Sequence, residues 1–243
     1  MAELSIIIPI FNGAAFIDQS LGRIFDWVKQ ASVAVEVVVV NDGSTDATRE
    51  HLLVWQEQAL CRVINFEANQ GKGAAIREGL RASTGDAVIF TDADLPYGVA
   101  IFGELLAASK ADPIVSCFYG SRTNPKSFAE HGYGLLRQFG RSFFSTVVRQ
   151  AVVGGIKDTQ CGIKFLTRPL VELVLKYSTI DRFAFDIELF VIARQNKLAL
   201  RDFPVVLNHR KESSVRIVTD TFLMLVDILK IRLKIWQNFY VRH

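Results

Sequence analysis

The chain has 243 residues, of which 50% are hydrophobic and 22% are charged. This composition excludes a disordered or collagen-like protein, because so many apolar residues bury a sizeable core. Its three cysteines, Cys61, Cys117 and Cys161, are far apart, which excludes a disulfide framework or a zinc-ligand spacing and favours a reducing, cytoplasmic setting. No apolar stretch has the length of a membrane span, and the acidic first ten residues do not resemble a signal peptide.

The two halves of the chain differ in charge. Residues 1–120 contain 8 basic and 15 acidic side chains, whereas residues 121–243 contain 20 basic and 10 acidic ones. Such a basic half indicates an anionic partner such as phosphate or a membrane surface, although charged faces that merely segregate would give the same count. The modest net charge and the absence of a recognition motif argue against nucleic acid.

The first 120 residues alternate short apolar runs with helical periodicities. The predicted strands are residues 4–10, 33–40, 62–66, 87–91 and 114–119, and the predicted helices are residues 14–29, a helix after 41–46, then 73–81 and 99–109. The first two strands are apolar at all but one position each, which is typical of strands covered on both faces. This alternation predicts an α/β fold with a doubly wound, mostly parallel sheet.

The second half departs from this alternation. A polar loop at residues 121–134 precedes a basic helix at 135–152, followed by helices at 169–177 and 185–195 and a strand at 199–206. No linker separates the halves, so we predict one catalytic domain over residues 1–214. Residues 215–243 form a long amphipathic helical pattern with apolar and basic side chains. This segment either lies on a membrane surface or packs on the catalytic domain or on a second subunit.

Polar residues follow the predicted strands, where ligands bind in such sheets. Asp92 and Asp94 leave the fourth strand and suit a hard divalent cation, although this pattern is also common in solvated loops. Asp42 follows the second strand and binds a base or ribose, or else belongs to a helix N-cap. Residues 69–73 supply small side chains and Lys72 as a phosphate cradle at a helix N-terminus. The absence of G-x-G-x-x-G after the first strand counts against a nicotinamide cofactor.

The motifs taken in order carry a family resemblance. They are SIIIPIFN at residues 5–12, VNDGSTD at 40–46, NQGKG at 69–73, TDADL at 91–95, GSR at 120–122, DTQCGIKF at 158–165 and FAFDIEL at 183–189. In these the chain resembles the family 2 inverting glycosyltransferases of the GT-A fold, and among them the dolichyl- or polyprenyl-phosphate β-glucosyltransferases and their mannosyl relatives. The DTQCGIKF segment points to the glucosyl branch.

The resemblance implies transfer of a hexose, glucose above all, from a UDP-sugar to a polyprenyl or dolichyl phosphate. It also implies a site for each partner. The nucleotide would contact Pro9, Phe11, Asn12, Asp42, Lys72 and Asp92; Mg²⁺ or Mn²⁺ would bind Asp92 and Asp94; the acceptor phosphate would bind Arg122, Arg137, Arg141 and Arg210; and the catalytic residues would be Asp94, Asp158 and Glu188. Mannosyl relatives have a glutamine as a further metal ligand where this chain has Pro96.

Asp158 and Glu188 are candidates for a general base or for residues that position the substrate or the arginines. An already ionised phosphate acceptor needs little help from a base.

Two other functions remain open for this chain. They are a glycosyltransferase with a soluble sugar or protein acceptor, and a nucleotide-sugar-binding regulatory protein without turnover. We expect a peripheral protein at the cytoplasmic face of a membrane. The sequence leaves open whether the protein forms homo-oligomers.

Overall fold

The computed structural model describes residues 2–122, 154–156, 158–207 and 217–241. Its centre is a seven-stranded sheet in the order β3-β2-β1-β4-β6-β5-β7. The strands are β1 (Leu4–Ile10), β2 (Val35–Asn41), β3 (Arg62–Asn65), β4 (Ala87–Phe90), β5 (Val115–Ser121), β6 (Lys164–Thr167) and β7 (Ala199–Pro204). All pairs are parallel except those of β6, which runs antiparallel to both β4 and β5. The predicted α/β fold with a mostly parallel sheet is confirmed.

Helices cover both faces of this sheet. They are α1 (Ile17–Val28), α2 (Thr48–Glu57), α3 (Lys72–Ala82), α4 (Ala100–Ala111), α5 (Arg168–Tyr177), α6 (Phe185–Gln195) and α7 (Ile217–Trp236). Strand β1 is buried along its whole length, because alternate side chains enter different layers. Ile7 packs with α3, α5 and α6, whereas Ile6 and Ile8 pack with α1 and α4. The nearly continuous apolar run of β1, in which Ser5 is the one polar residue, is thus the consequence of two covered faces.

The second half differs most from the prediction. Strand β6 was not predicted as part of the sheet, because four residues carry no readable periodicity. The basic helix predicted at 135–152 lies outside the described residues. Within the described ranges, no helix combines the length and the apolar composition needed to cross a bilayer.

The C-terminal helix joins the core of the domain. Ile228 and Ile231 of α7, together with Tyr240 beyond it, are buried in the same apolar cluster as α6. One side of α7 therefore packs on the core of the same chain, which was one of the arrangements left open by the sequence. The boundary between residues 214 and 215 stays a prediction.

Candidate active site

Three neighbouring parallel strands end at one edge of the sheet. We call this edge the rim and define it as residues 11–14, 41–48 and 91–95. Strand β1 pairs with β2 on one side and with β4 on the other, so the loops that follow these strands are adjacent. The topology thereby brings together the polar residues that the sequence singled out after separate strands.

The loops after β1 and β2 are joined by hydrogen bonds. The Asn12 backbone N–H donates to Ser44 Oγ at 2.9 Å, and Asn12 Oδ1 accepts from the Thr45 N–H at 2.8 Å. These bonds fix the two loops as one wall of the rim. Phe11 is exposed beside them and Pro9 is buried in β1. Contact of Pro9, Phe11 and Asn12 with a nucleotide stays a prediction.

Asp42 is buried and anchors the turn that leads into α3. Its Oδ1 accepts from the Gln70 N–H at 2.7 Å, and its Oδ2 accepts from the Gly71 N–H at 2.9 Å and from Asn69 Nδ2 at 3.0 Å. Burial raises the pKa of the Asp42 carboxyl above its ordinary value, and the two backbone donors offset this only in part. Asp42 therefore fixes the position of the segment that carries Lys72.

Lys72, the first residue of α3, forms an ion pair across the rim. Its Nζ donates to Asp92 Oδ1 at 2.5 Å. Burial acts to lower the pKa of Lys72, but the charges of Asp92 and Asp186 outweigh it and raise the pKa above its ordinary value. Lys72 is therefore charged at neutral pH, and it stands where a helix begins, a favourable place for phosphate oxygens.

The turn after β4 is tightly constrained. The Leu95 N–H donates to the Asp92 carbonyl at 3.1 Å, and Leu95 adopts a left-handed φ of 49° although its side chain is buried. Such a backbone is costly for leucine and persists only where the surroundings fix it. Gly162 packs directly on the turn, because a Cβ built on it would lie 1.8 Å from Asp92 Oδ2. The glycine of the DTQCG segment thus permits this close approach.

The carboxylates of Asp92 and Asp94 are the oxygen donors that the rim offers to a divalent cation. Among the described residues, no three His, Cys, Asp or Glu side chains converge on one point. Mg²⁺ commonly binds through one or two carboxylates and completes its shell with water and substrate phosphate. The Asp92 side chain is 36% exposed and lies beside Lys72. These oxygen donors therefore fit a cation shared with a diphosphate and do not fit a closed site made of protein ligands.

Arg122 and Asp158 form a two-pronged ion pair beyond β5. Arg122 Nε donates to Asp158 Oδ2 at 2.7 Å, and Arg122 Nη2 donates to Oδ1 at 2.9 Å. Burial acts to raise the pKa of Asp158, but the hydrogen bonds and charge of Arg122 outweigh it and lower the pKa. Asp158 is therefore an ionised, weakly basic group that orients a guanidinium. The other predicted phosphate-binding arginines, Arg137, Arg141 and Arg210, lie outside the described residues.

Glu188 does not lie at the rim. Its side chain is 0% exposed in α6, where Oε2 accepts from the backbone N–H groups of Thr179 (2.8 Å) and Ile180 (2.9 Å). Its Oε1 accepts from Thr179 Oγ1 at 2.9 Å and from the Tyr240 hydroxyl at 2.8 Å. Four internal donors occupy the oxygens of Glu188 and no solvent reaches it, which favours a structural role over the predicted role as a base on the substrate.

Lys164 and Asp186 form a buried ion pair beside the rim. The sequence analysis assigned no role to either residue. Lys164 is 0% exposed, with Nζ 2.8 Å from Asp186 Oδ1, and it donates to the Cys161 carbonyl at 2.7 Å. The ion pair joins β6 to α6, and the hydrogen bond to the Cys161 carbonyl fixes the loop that places Gly162 against Asp92. Both charged residues lie in segments that carry the family resemblance, but a motif does not reveal which of its polar residues is buried.

The chain is similar to known glycosyltransferases in sequence and in fold. The family described as Glycosyl transferase family 2 matches residues 5–173. The dolichyl-phosphate beta-glucosyltransferase ALG5D of Trichomonas vaginalis is 32% identical over 250 residues, which cover 96% of this chain and 75% of that protein. The dolichyl-phosphate beta-glucosyltransferase of Mus musculus is 28% identical, covering 96% of this chain and 75% of the relative.

Solved structures share the fold. Glucosyl-3-phosphoglycerate synthase from Mycobacterium tuberculosis, in complex with Mn²⁺, UDP-glucose and phosphoglyceric acid, superposes with a TM-score of 0.67. The identity is 18%, and the match covers 95% of this chain and 79% of the other. At this identity the likeness shows the fold, including its mixed sheet flanked by helices.

Proposed function

This chain belongs to glycosyl transferase family 2, and we propose that it transfers glucose from UDP-glucose to a polyprenyl phosphate of the dolichyl type, with inversion at the anomeric carbon. The observation that carries the proposal is the likeness to dolichyl-phosphate beta-glucosyltransferases over almost the whole chain. The rim supports it, because an ammonium and acidic side chains stand together where a nucleoside diphosphate would bind.

The donor nucleotide is assigned to the loops after β1, β2 and β4. Phe11 and Asn12 form the wall for the uridine, and Pro9 and Asp42 shape this wall from within the sheet edge. Lys72 faces the diphosphate from the start of α3. The hydrogen bonds of this wall are made within the protein, so the donor meets loops that need little rearrangement.

Asp92 and Asp94 would hold Mg²⁺ or Mn²⁺ on the diphosphate. The cation, when bound, neutralises negative charge on the departing UDP. Lys72 adds a second positive charge, fixed beside Asp92 at 2.5 Å. Structures of the mycobacterial neighbour contain UDP with Mn²⁺ or with Mg²⁺, which supports the use of a divalent ion.

The acceptor reacts by a single displacement. An oxygen of the lipid phosphate attacks the anomeric carbon of glucose, the bond from that carbon to UDP breaks, and its electron pair stays on the UDP oxygen. The acceptor phosphate is ionised at neutral pH, so no proton has to be removed. Asp158 holds the guanidinium of Arg122 in place for the acceptor phosphate. The same phosphate is predicted to bind Arg137, Arg141 and Arg210.

We place this activity at the cytoplasmic face of a membrane. The three cysteines are free and buried, as expected for a protein kept in a reducing compartment. This placement is tested by adding protease to sealed vesicles whose cytoplasmic face is outside. We expect the enzyme to be digested, and an enzyme protected inside such vesicles would contradict the placement.

The activity is tested by incubating the protein and Mn²⁺ with a panel of radiolabelled UDP-sugars and polyprenyl phosphate. We expect organic-extractable label from UDP-glucose, and its loss when EDTA removes the metal. Label transferred to a soluble sugar or protein acceptor, with none in the lipid, would overturn the acceptor. UDP binding without turnover of any donor would indicate a regulatory protein.

Replacing Gly162 by alanine is expected to lower glucosyl transfer about a hundredfold, because a shift of about 1 Å in a positioned group has this effect. The new Cβ would collide with Asp92 Oδ2 at 1.8 Å and displace the carboxylate. Initial rates at saturating UDP-glucose measure the loss. Gly22→Ala is the matched control, since a Cβ there meets nothing within 4 Å. Equal rates for the two variants would show that the position of Asp92 is unimportant.

A further inference from the structure

Helix α7 exposes an apolar face on the side opposite its packing contacts. Leu225, Leu229, Leu233 and Trp236 are 42%, 64%, 59% and 82% exposed. Their spacing of four, four and three residues places them on one side of the helix. We call this surface the α7 face. Contiguous exposed apolar surface of this kind marks an interaction site more often than scattered single residues do.

Hydrogen bonds and burial beyond the end of α7 fix the orientation of the α7 face. Beyond the helix, Tyr240 is fully buried and donates to Glu188 Oε1 at 2.8 Å, while its carbonyl accepts from Asn196 Nδ2 at 2.7 Å. The Tyr177 hydroxyl donates to the Val241 carbonyl at 3.2 Å. The exposed side chains therefore belong to an element attached at both its packed face and its end, and they cannot turn into the core of the domain without breaking these contacts.

The charges around the α7 face are cationic. From residue 223 to the end of the helix, the exposed charged side chains are Lys230 and Arg232, and Lys234 is partly exposed. Asp227 is buried, with its Oδ1 3.0 Å from Lys230 Nζ. Arg232 lies within the apolar face, where a long side chain can bury its stem and keep its charge in water. Leucines, an exposed tryptophan and bordering cations suit the interface of an anionic bilayer.

The α7 face is also connected to the rim. Lys234 Nζ donates to Thr179 Oγ1, and two residues further on the Asp181 carbonyl accepts from the Ala74 N–H of α3 at 2.9 Å. Helix α3 begins at Lys72. A surface docked on α7 thus has a fixed spatial relation to the residues assigned to the donor.

We propose that the α7 face docks onto the surface of an anionic lipid bilayer, with the helix parallel to the membrane plane. The proposal rests on the proposed function in one respect, since a lipid acceptor requires its enzyme to reach the bilayer. A second copy of the chain is the competing occupant. An isologous contact would gather Arg232 and Lys230 of both copies at one interface, and this concentration of like charge opposes association.

Co-sedimentation with vesicles tests the proposal. We expect the full chain to bind phosphatidylcholine vesicles that contain about 30 mol% phosphatidylserine, and to bind pure phosphatidylcholine about tenfold more weakly. The double variant Leu229→Ser/Leu233→Ser should bind the anionic vesicles at least tenfold more weakly, by an order-of-magnitude estimate. The control is Leu53→Ser/Val54→Ser on α2, where both side chains are 52% exposed, and it should bind like the parent chain.

Equal vesicle binding by the parent chain and the Leu229→Ser/Leu233→Ser variant would overturn the proposal. A parent dimer in sedimentation velocity that becomes a monomer in this variant, without vesicle binding by either, would assign the α7 face to a second copy. Activity assays with polyprenyl phosphate in detergent separate the two proposals. If the chain transfers glucose in detergent but does not bind vesicles, only the docking proposal is contradicted. If the chain binds vesicles but transfers no sugar, only the proposed function is contradicted.

Discussion

Replacing Asp94 by asparagine is expected to lower glucosyl transfer about a thousandfold, because it removes a carboxylate that stabilises charge on the leaving diphosphate. Asparagine has nearly the same volume, so the melting temperature should change by no more than about 3 °C. The measurements are initial rates of lipid glucosylation and thermal unfolding. Electron paramagnetic resonance of Mn²⁺ in the presence of UDP should show weaker metal binding by the variant.

Asp26→Asn provides the matched control for this variant. Asp26 of α1 forms an exposed ion pair with Lys29, the residue that follows the helix, with Nζ and Oδ1 3.3 Å apart. The same change of charge at this distant position should leave both the rate and the Mn²⁺ signal unchanged. If Asp94→Asn retained full metal-dependent activity, the cation would have to bind elsewhere.

Replacing Glu188 by alanine is expected to lower the free energy of unfolding by about 3–5 kcal/mol, a loss typical of a buried polar network that loses one partner. Alanine leaves the N–H groups of Thr179 and Ile180 and the Tyr240 hydroxyl buried without their acceptor. Loss of the Glu188 carboxyl group also leaves a cavity where the side chain of α6 packed against its neighbours. Urea unfolding followed by circular dichroism measures the change.

Glu188→Gln separates this structural role from catalysis. A glutamine oxygen at the Oε2 position still accepts from Thr179 and Ile180, and the two hydroxyl groups at the other position can rotate to accept from the new amide. We expect glucosyl transfer within about threefold of the parent chain, whereas loss of a general base would cost about a hundredfold or more. A large loss of rate in a stable Glu188→Gln protein would restore Glu188 as a base.

Much of the sheet could be predicted from local pattern. The apolar run at residues 4–10 coincides with β1, and the helix predicted at 185–195 coincides with α6. Such elements are readable because a strand covered on both faces needs an unbroken apolar run, and a buried helix needs apolar residues on most sides. Strand β6 was missed because its place between β4 and β5 depends on partners far away in sequence.

The residue types of the site were predictable, but their surroundings were not. Asp92 and Asp94 follow a parallel strand, and this position alone predicts that they reach the rim. The sequence left open whether Asp158 acts as a base or positions an arginine, and it did not reveal that Gly162 touches Asp92. These contacts join segments more than 30 residues apart, so no local periodicity records them.

The sequence by itself determined the fold class, the family and the acidic pair of the rim, because apolar periodicity and ordered motifs are written along the chain. Only the tertiary structure decided that Glu188 is buried and that α7 packs through Ile228 and Ile231 while Trp236 faces outward. A glutamate at a core position and one at an open edge look alike in sequence. Their burial depends on which distant donors and apolar groups the folded chain brings around them.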